Sequence, residues 1–105
     1  MARRLRPLAV VEHQGRRTAT RYRTPVMAFR SGDTFTFALT YGPDVDWVRN
    51  VLAAGRCRLM YKGGSYDLVD PHKGGAELSA PVPGWIREAL ARVDVRDYLT
   101  MIVAD

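Results

Sequence analysis

TFTFALTYGPDVDWVRNVLAAGRCRLMYKGG, residues 34–64, changes its hydrophobic period twice, and those changes decide the fold. In Thr34 to Tyr41 the side chains alternate, with Phe35, Phe37, Leu39 and Tyr41 on one side and Thr34, Thr36, Ala38 and Thr40 on the other. This is the period of a half-buried strand. Gly42-Pro43-Asp44 breaks it. From there Trp47, Val48, Val51 and Leu52 share one face of a short helix that runs from an Asp44 N-cap to a Gly55 stop. Arg56 to Lys62 returns to period two, with Cys57, Leu59 and Tyr61 on one side, and Gly63-Gly64 turns the chain into a partner strand, Ser65 to Val69.

Upstream, Leu8 to Glu12 reads as a buried strand ending at His13-Gln14-Gly15. Tyr22 to Phe29 reads as a second strand in which Pro25, lacking an N–H, needs an edge or a bulge, and Ser31-Gly32-Asp33 closes a hairpin. Downstream, Asp70 to Gly75 reads as a loop and Glu77 to Ala80 as a brief pairing segment. Pro81-Val82-Pro83-Gly84 introduces a helix with Trp85, Ile86, Ala89, Leu90 and Val93 on its apolar face, and Tyr98 to Val103 forms a last strand. The expectation is one mainly β domain over residues 1–105, with two short helices and six or so mostly antiparallel strands. A small barrel is favoured because it leaves no long edge exposed.

Composition narrows the function classes. A hydrophobic content of 47% and a charged content of 26% are those of a globular protein. No apolar run is long enough for a membrane helix, and Arg3, Arg4 and Arg6 are followed only by the short run Leu8 to Val11, so a cytoplasmic location is expected. Cys57 is the sole cysteine and no His-x-x-His accompanies it, which excludes an internal disulfide and leaves no metal site to expect. No Ser-His-Asp set, carboxylate pair or Walker loop can be assembled.

Charge is unevenly spread. Residues 1–30 hold eight Arg and one Glu, a net +7, whereas residues 31–105 hold eight basic and ten acidic residues, a net −2. Four Arg and three Thr crowd into the eleven residues Gly15-Arg16-Arg17-Thr18-Ala19-Thr20-Arg21-Tyr22-Arg23-Thr24-Pro25, between two predicted strands. Guanidinium forks, hydroxyls and turn amides suit an oxyanion. Charge alone fits a phosphate-bearing small molecule, nucleic acid, an acidic membrane surface or a solvated Arg-rich hairpin equally.

The stretch GRRTATRYRTPV, followed by an aromatic strand and then YGPDVDWVRNVLAAGRCRLMYKG, resembles the deazaflavin-dependent nitroreductase family. VPGWIREALARVDVRDYLTMIV is similar to that family's last helix and strand. The resemblance implies an FMN-binding-protein-like split β-barrel that uses coenzyme F-420, an 8-hydroxy-5-deazaflavin, to pass a hydride to a small organic acceptor such as a nitro compound, a quinone or an enone. It further implies cofactor-binding roles for Gly15, Arg16, Arg17, Thr18, Arg21, Arg23, Pro25, Trp47 and Asn50, the arginines gripping the coenzyme's phosphodiester and glutamyl tail. Tyr98 is the implied catalytic residue, with Tyr66 as a second proton donor to weigh.

The family's Ser-Gly is Thr18-Ala19 here, which gives up glycine's backbone freedom. Relatives also carry a covering N-terminal helix, so the pocket is expected to be open or completed by a second subunit of a homodimer. An FMN-loaded barrel, a non-catalytic coenzyme carrier and a basic nucleic-acid-binding barrel are the alternatives; FMN fits less well and no nucleic acid is expected as partner. Trp47, Trp85 and most of Tyr41, Tyr61, Tyr66 and Tyr98 read first as packing, and His13 and His72 read as exposed loop histidines.

Overall fold

Each strand places alternate side chains on opposite faces, so a sheet whose inward faces are all apolar can bury them by curling until its first and last strands meet. The structure, a computed structural model, describes residues 8–104 and has this form. In chain order the elements are β1 (Leu8–Gln14), β2 (Arg21–Ser31), β3 (Thr34–Ala38), α1 (Asp46–Ala54), β4 (Arg56–Tyr61), β5 (Gly64–Gly74), a 3-10 turn (Ala76–Leu78), α2 (Gly84–Arg92) and β6 (Tyr98–Val103). The strands form a closed barrel in the order β1-β2-β3-β6-β5-β4, every neighbouring pair antiparallel. Closure rests on β1, which pairs with β2 (Ala9 opposite Val26, Val11 opposite Thr24) and with β4 (Val11 opposite Leu59).

The inward residues make one core: Val11, Phe35, Phe37, Leu59, Leu68, Leu99 and Met101 are all fully buried. Trp47, Val48 and Val51 of α1 belong to the same cluster, with the Trp47 ring 5.7 Å from Phe37 at 67°, so α1 plugs one end of the barrel. Gly55 ends α1 in the left-handed conformation (φ 75°), its N–H donating to Val51 O at 2.8 Å. A second cluster lies outside the barrel, where α2 and the segment before it set Leu90 and Val82 over Phe29, Ala38 and Tyr98. That cover explains why Thr36 and Ala38, the polar side of the predicted strand, are also buried.

The closed six-strand barrel with two helices agrees with the sequence reading, and several details correct it. The helix N-cap is Val45 with no side-chain cap, because the Asp44 carboxylate pairs instead with Lys73 at 3.0 Å. Tyr41 is 79% exposed because β3 ends at Ala38 and the chain turns before Tyr41. Asp70 to Gly75 is mostly strand: a register shift between Val69 and His72 carries Asp70 (φ 59°) and Pro71, after which pairing with β6 resumes at His72 opposite Thr100. Glu77 to Ala80 does not pair but begins in the 3-10 turn. On α2 only Leu90 is buried, with Ile86 packed beside it; Trp85 points away and Val93 falls past the helix end. Pro25 lies where β2 has β1 on one side only, since β3 pairs no further than Met27, which is a local edge as expected.

The packing predicts a contrast in stability. Leu59→Ala, at 0% exposure in the barrel centre, is expected to cost about 2–5 kcal/mol. Trp85→Ala, at 68% exposure, should change stability by no more than about 0.5 kcal/mol. Urea unfolding followed by far-ultraviolet circular dichroism measures both.

Candidate functional site

The Arg-rich segment bridges β1 and β2 as a tight loop, closed where the Gly15 N–H donates to Thr20 O at 2.8 Å. Inside it the Thr18 hydroxyl accepts the Thr20 N–H at 3.3 Å. A Cβ on Gly15 would stand 2.9 Å from Thr18 Oγ1 and 3.2 Å from the Tyr22 ring, so only glycine fits without displacing them. Ala19 does not take a left-handed backbone, which removes the difficulty raised by its replacing glycine.

Asn50 ties this loop to α1. It is 4% exposed, and its carboxamide oxygen accepts two bonds from Arg16, one from the backbone N–H at 3.2 Å and one from Nη1 at 2.8 Å. Arg16 Nη2 also lies 3.5 Å from Asp46 Oδ1, a surface contact worth at most about 1 kcal/mol. The Asn50 amide nitrogen is 3.1 Å from His13 Nδ1, and His13 Nε2 is 3.0 Å from the Thr24 hydroxyl. The Tyr22 ring stacks on the imidazole at 5.7 Å and 26°. Burial lowers the His13 pKa from its ordinary 6.5, while the Asp46 carboxylate pulls the other way.

These groups border a cleft of about 660 Å3, within the usual range for small-molecule sites. The Gly15–Thr18 turn and Tyr22 to Thr24 form one wall; Tyr41 and the start of α1, with Val45, Trp47 and Asn50, form the other. Three arginines (Arg16, Arg17, Arg23) face one carboxylate (Asp46), leaving the cleft cationic. Arg23 is drawn toward Glu12 at 3.3 Å, but among the described residues Arg17 makes no hydrogen bond or ion pair.

Of the residues singled out from the sequence, Gly15, Arg16, Arg17, Thr18, Arg23, Trp47 and Asn50 therefore line one cleft. Arg21 does not. It faces the next groove around the barrel, with Arg56, Arg58 and Asp67, and reaches Glu12 at 3.9 Å. Pro25 is exposed on β2 outside the cleft. Tyr98 is buried on the outer face of β6 beneath α2 and borders a separate depression with Trp85 and Arg87; burial raises its pKa, against the pull of Arg87. Strand parity explains the separation, because Tyr98 alternates with the inward-facing Leu99. Tyr66 packs against Phe35 with Arg30 over its ring and does not border the cleft. Cys57 is no nucleophile either, since burial pushes its thiol up to about 12.

His13, expected to be an exposed loop residue, is instead 6% exposed near the end of β1. The parity Ala9, Val11, His13 carries the signal: extending the strand by two residues puts the imidazole on the inward face. Thr24 follows by the same rule, one diagonal step across from His13. Tyr41 and Asp46 become legible only once the cleft exists.

Residues 2–79 match the F420H(2)-dependent quinone reductase family. No curated protein matches this sequence. Among solved structures, the fold is similar to an F420-H2 dependent reductase, FDR-A, at TM-score 0.65 and 16% identity, covering 91% of this chain and 94% of that one. A domain-swapped dimer matches at TM-score 0.65 and 14% identity, over 91% of this chain and 80% of the other. A protein of unknown function from Agrobacterium tumefaciens matches at TM-score 0.61 and 16% identity, covering 94% of this chain but 49% of that one.

Replacing Asn50 by Leu keeps the volume but leaves the Arg16 donors and the His13 ring nitrogen without their shared partner. The expected cost is about 1–3 kcal/mol, read as a lower urea midpoint with unchanged slope.

Proposed function

This chain belongs to the F420H(2)-dependent quinone reductase family and is an oxidoreductase that uses coenzyme F-420; from that premise we propose that the cleft between the Gly15–Thr18 loop and α1 holds the coenzyme by its anionic tail. The observation that supports this reading is the convergence of Arg16, Arg17 and Thr18 with Trp47 and Asn50 on one cationic cleft. The donor set fits such a group. Arg17 has its whole guanidinium to offer, and Arg16 is held in place by Asn50, with Asp46 making only a solvent-exposed contact at 3.5 Å. Three aromatic side chains, Tyr22, Tyr41 and Trp47, supply apolar surface beside the charges.

When bound, the reduced coenzyme supplies the hydride. The work left to the chain is to bind, orient and exclude water. Arg16 and Arg17 fix the anionic end, with charge-assisted bonds of about 1.5–3 kcal/mol each. Trp47 continues from the cleft into the barrel core through Phe37, so its wall is rigid. No acid-base dyad is required of this chain, in keeping with a site whose ionisable groups are three arginines, two tyrosines, Asp46 and His13. The acceptor we favour is a quinone, the substrate that the family's name carries; a nitro compound or an enone would accept a hydride by the same chemistry. No helix among the described residues is long and apolar enough to cross a membrane.

Titration with F-420 and with FMN, followed by cofactor fluorescence, tests the site. The double variant Arg16→Ala, Arg17→Ala is expected to weaken F-420 binding at least about tenfold, the equivalent of one charge-assisted bond. Unchanged affinity would mean that the tail is held elsewhere.

A further inference from the structure

The reading above assigns no task to His13, a buried titratable group at the floor of the same cleft. We propose that His13 is a positioning residue for coenzyme binding: with its proton on Nε2 it fixes the Asn50 carboxamide in the one orientation that holds Arg16 facing the cleft. This rests on Arg16 gripping the anionic tail.

The hydrogen-bond pattern determines the tautomer. Arg16 presents only donors, the backbone N–H at 3.2 Å and Nη1 at 2.8 Å, so the Asn50 group facing it must be the oxygen. The amide nitrogen then faces His13 Nδ1 at 3.1 Å, and because that nitrogen donates, Nδ1 must be a bare acceptor. The ring proton is left to Nε2, which donates to the Thr24 hydroxyl at 3.0 Å. The flipped amide would set NH2 against both Arg16 donors and fails at once. Thr24, His13, Asn50 and Arg16 thus form a relay in which each donor choice forces the next.

A second proton on the imidazole breaks the relay. It must go on Nδ1, where it would point at the Asn50 NH2. Either the amide turns over and presents donors to Arg16, or the ring withdraws and Asn50 loses its anchor. In the first case Arg16 loses its buried acceptor and retains only the exposed Asp46 contact; in the second that acceptor is no longer held in place.

The surroundings decide how readily this happens. On the cleft side His13 is faced by Arg16, Arg17, Arg23, Tyr22 and Asp46. On the other side stand Glu12 of β1 and Arg21 of β2, with Arg56, Arg58, the Cys57 thiol and Asp67 of β4 and β5. Burial disfavours the imidazolium and outweighs the opposing pull of the Asp46 carboxylate, so the folded pKa lies below 6.5. The sign follows. Above 6.5 the neutral form prevails in folded and unfolded chains alike; fold stability falls as pH drops below 6.5 toward the depressed folded value, and the Arg16 orientation is lost as pH falls through that folded value.

The experiment compares the wild type with His13→Leu, His13→Asn and Arg16→Ala. The asparagine oxygen can stand where Nδ1 stands and accept from Asn50, but it does not titrate. At about pH 7.5, His13→Leu is expected to bind F-420 about fivefold more weakly than the wild type, and His13→Asn at least about threefold more tightly than His13→Leu. As pH falls through the folded-state titration of His13, read from its ring-nitrogen shifts in the same protein, the wild type should lose more affinity than His13→Asn, which subtracts any titration of the coenzyme itself. Independently of the coenzyme, long-range nitrogen-proton correlation spectra of the wild-type protein should show His13 protonated on Nε2 alone.

Wild-type affinity in His13→Leu, the same acid loss in His13→Asn as in the wild type, or a proton on Nδ1 at neutral pH would each overturn the proposal. If His13→Leu does not fold, the spectra and the asparagine profile still decide. Weaker binding in Arg16→Ala together with any of these failures would overturn the positioning role and leave the tail clamp standing. Unchanged binding in Arg16→Ala would remove the clamp and the positioning role with it.

Discussion

Closure of the barrel at β1 is the constraint from which the rest follows. Because β1 pairs with β2 on one side and β4 on the other, every strand has a neighbour on both sides, the stretch of β2 before Met27 apart, and all six inward faces meet in one core. A closed barrel of short strands still has two open ends. At one of them α1 inserts Trp47, Val48 and Val51, and the same helix turn that buries these side chains buries Asn50. A carboxamide forced into that position must find donors and acceptors, since an unpaired buried amide costs about 1–3 kcal/mol. It finds them in His13, the last inward residue of β1, and in Arg16, the second residue of the following loop. The cleft is therefore a by-product of plugging the barrel: the polar partners that satisfy Asn50 are the ones that aim the Arg-rich loop.

Magnitudes rank the contacts. The ion pairs of this region are exposed on at least one side, and each contributes no more than about 1 kcal/mol. The Arg16–Asn50 and Asn50–His13 bonds are shielded and share a common residue, so they reinforce one another. It follows that the shielded Asn50 network, and not the exposed ion pairs, sets the shape of the loop. Arg17 shows the consequence, as a guanidinium on a rigid turn with no internal partner among the described residues.

Much of this was legible in the sequence. The alternation of Thr34 to Leu39, the period change at Gly42-Pro43-Asp44 and the returns at Gly55 and Gly63-Gly64 carried the fold, because strand and helix periods are local properties. The loop and helix residues of the site were legible through two motifs at family-like spacing. What escaped depended on long-range geometry. Asp70 to Gly75 looked like a loop because Pro71 and two glycines are breakers, yet a bulge absorbs the proline and β6 supplies the partner. Tyr98 was placed by resemblance alone, and the parity of β6 sets it outside the barrel under α2. His13 escapes the local pattern because the following Gln14 and Gly15 mark a turn, whereas pairing with β2 carries β1 on to Gln14. Trp85 and Val93 fit the helix period, but α2 meets the barrel along too narrow a stripe to bury them.

The central claim is that coenzyme F-420 is held in the cleft between the Gly15–Thr18 loop and α1. Amide chemical-shift mapping of the isotope-labelled protein during F-420 addition tests it most directly. The account predicts that the largest shifts cluster at residues 15–18, at Tyr22 to Thr24 and at Trp47 to Asn50, with α2 unmoved. Shifts centred instead on Tyr98, Trp85 and Arg87, with the loop silent, would contradict it.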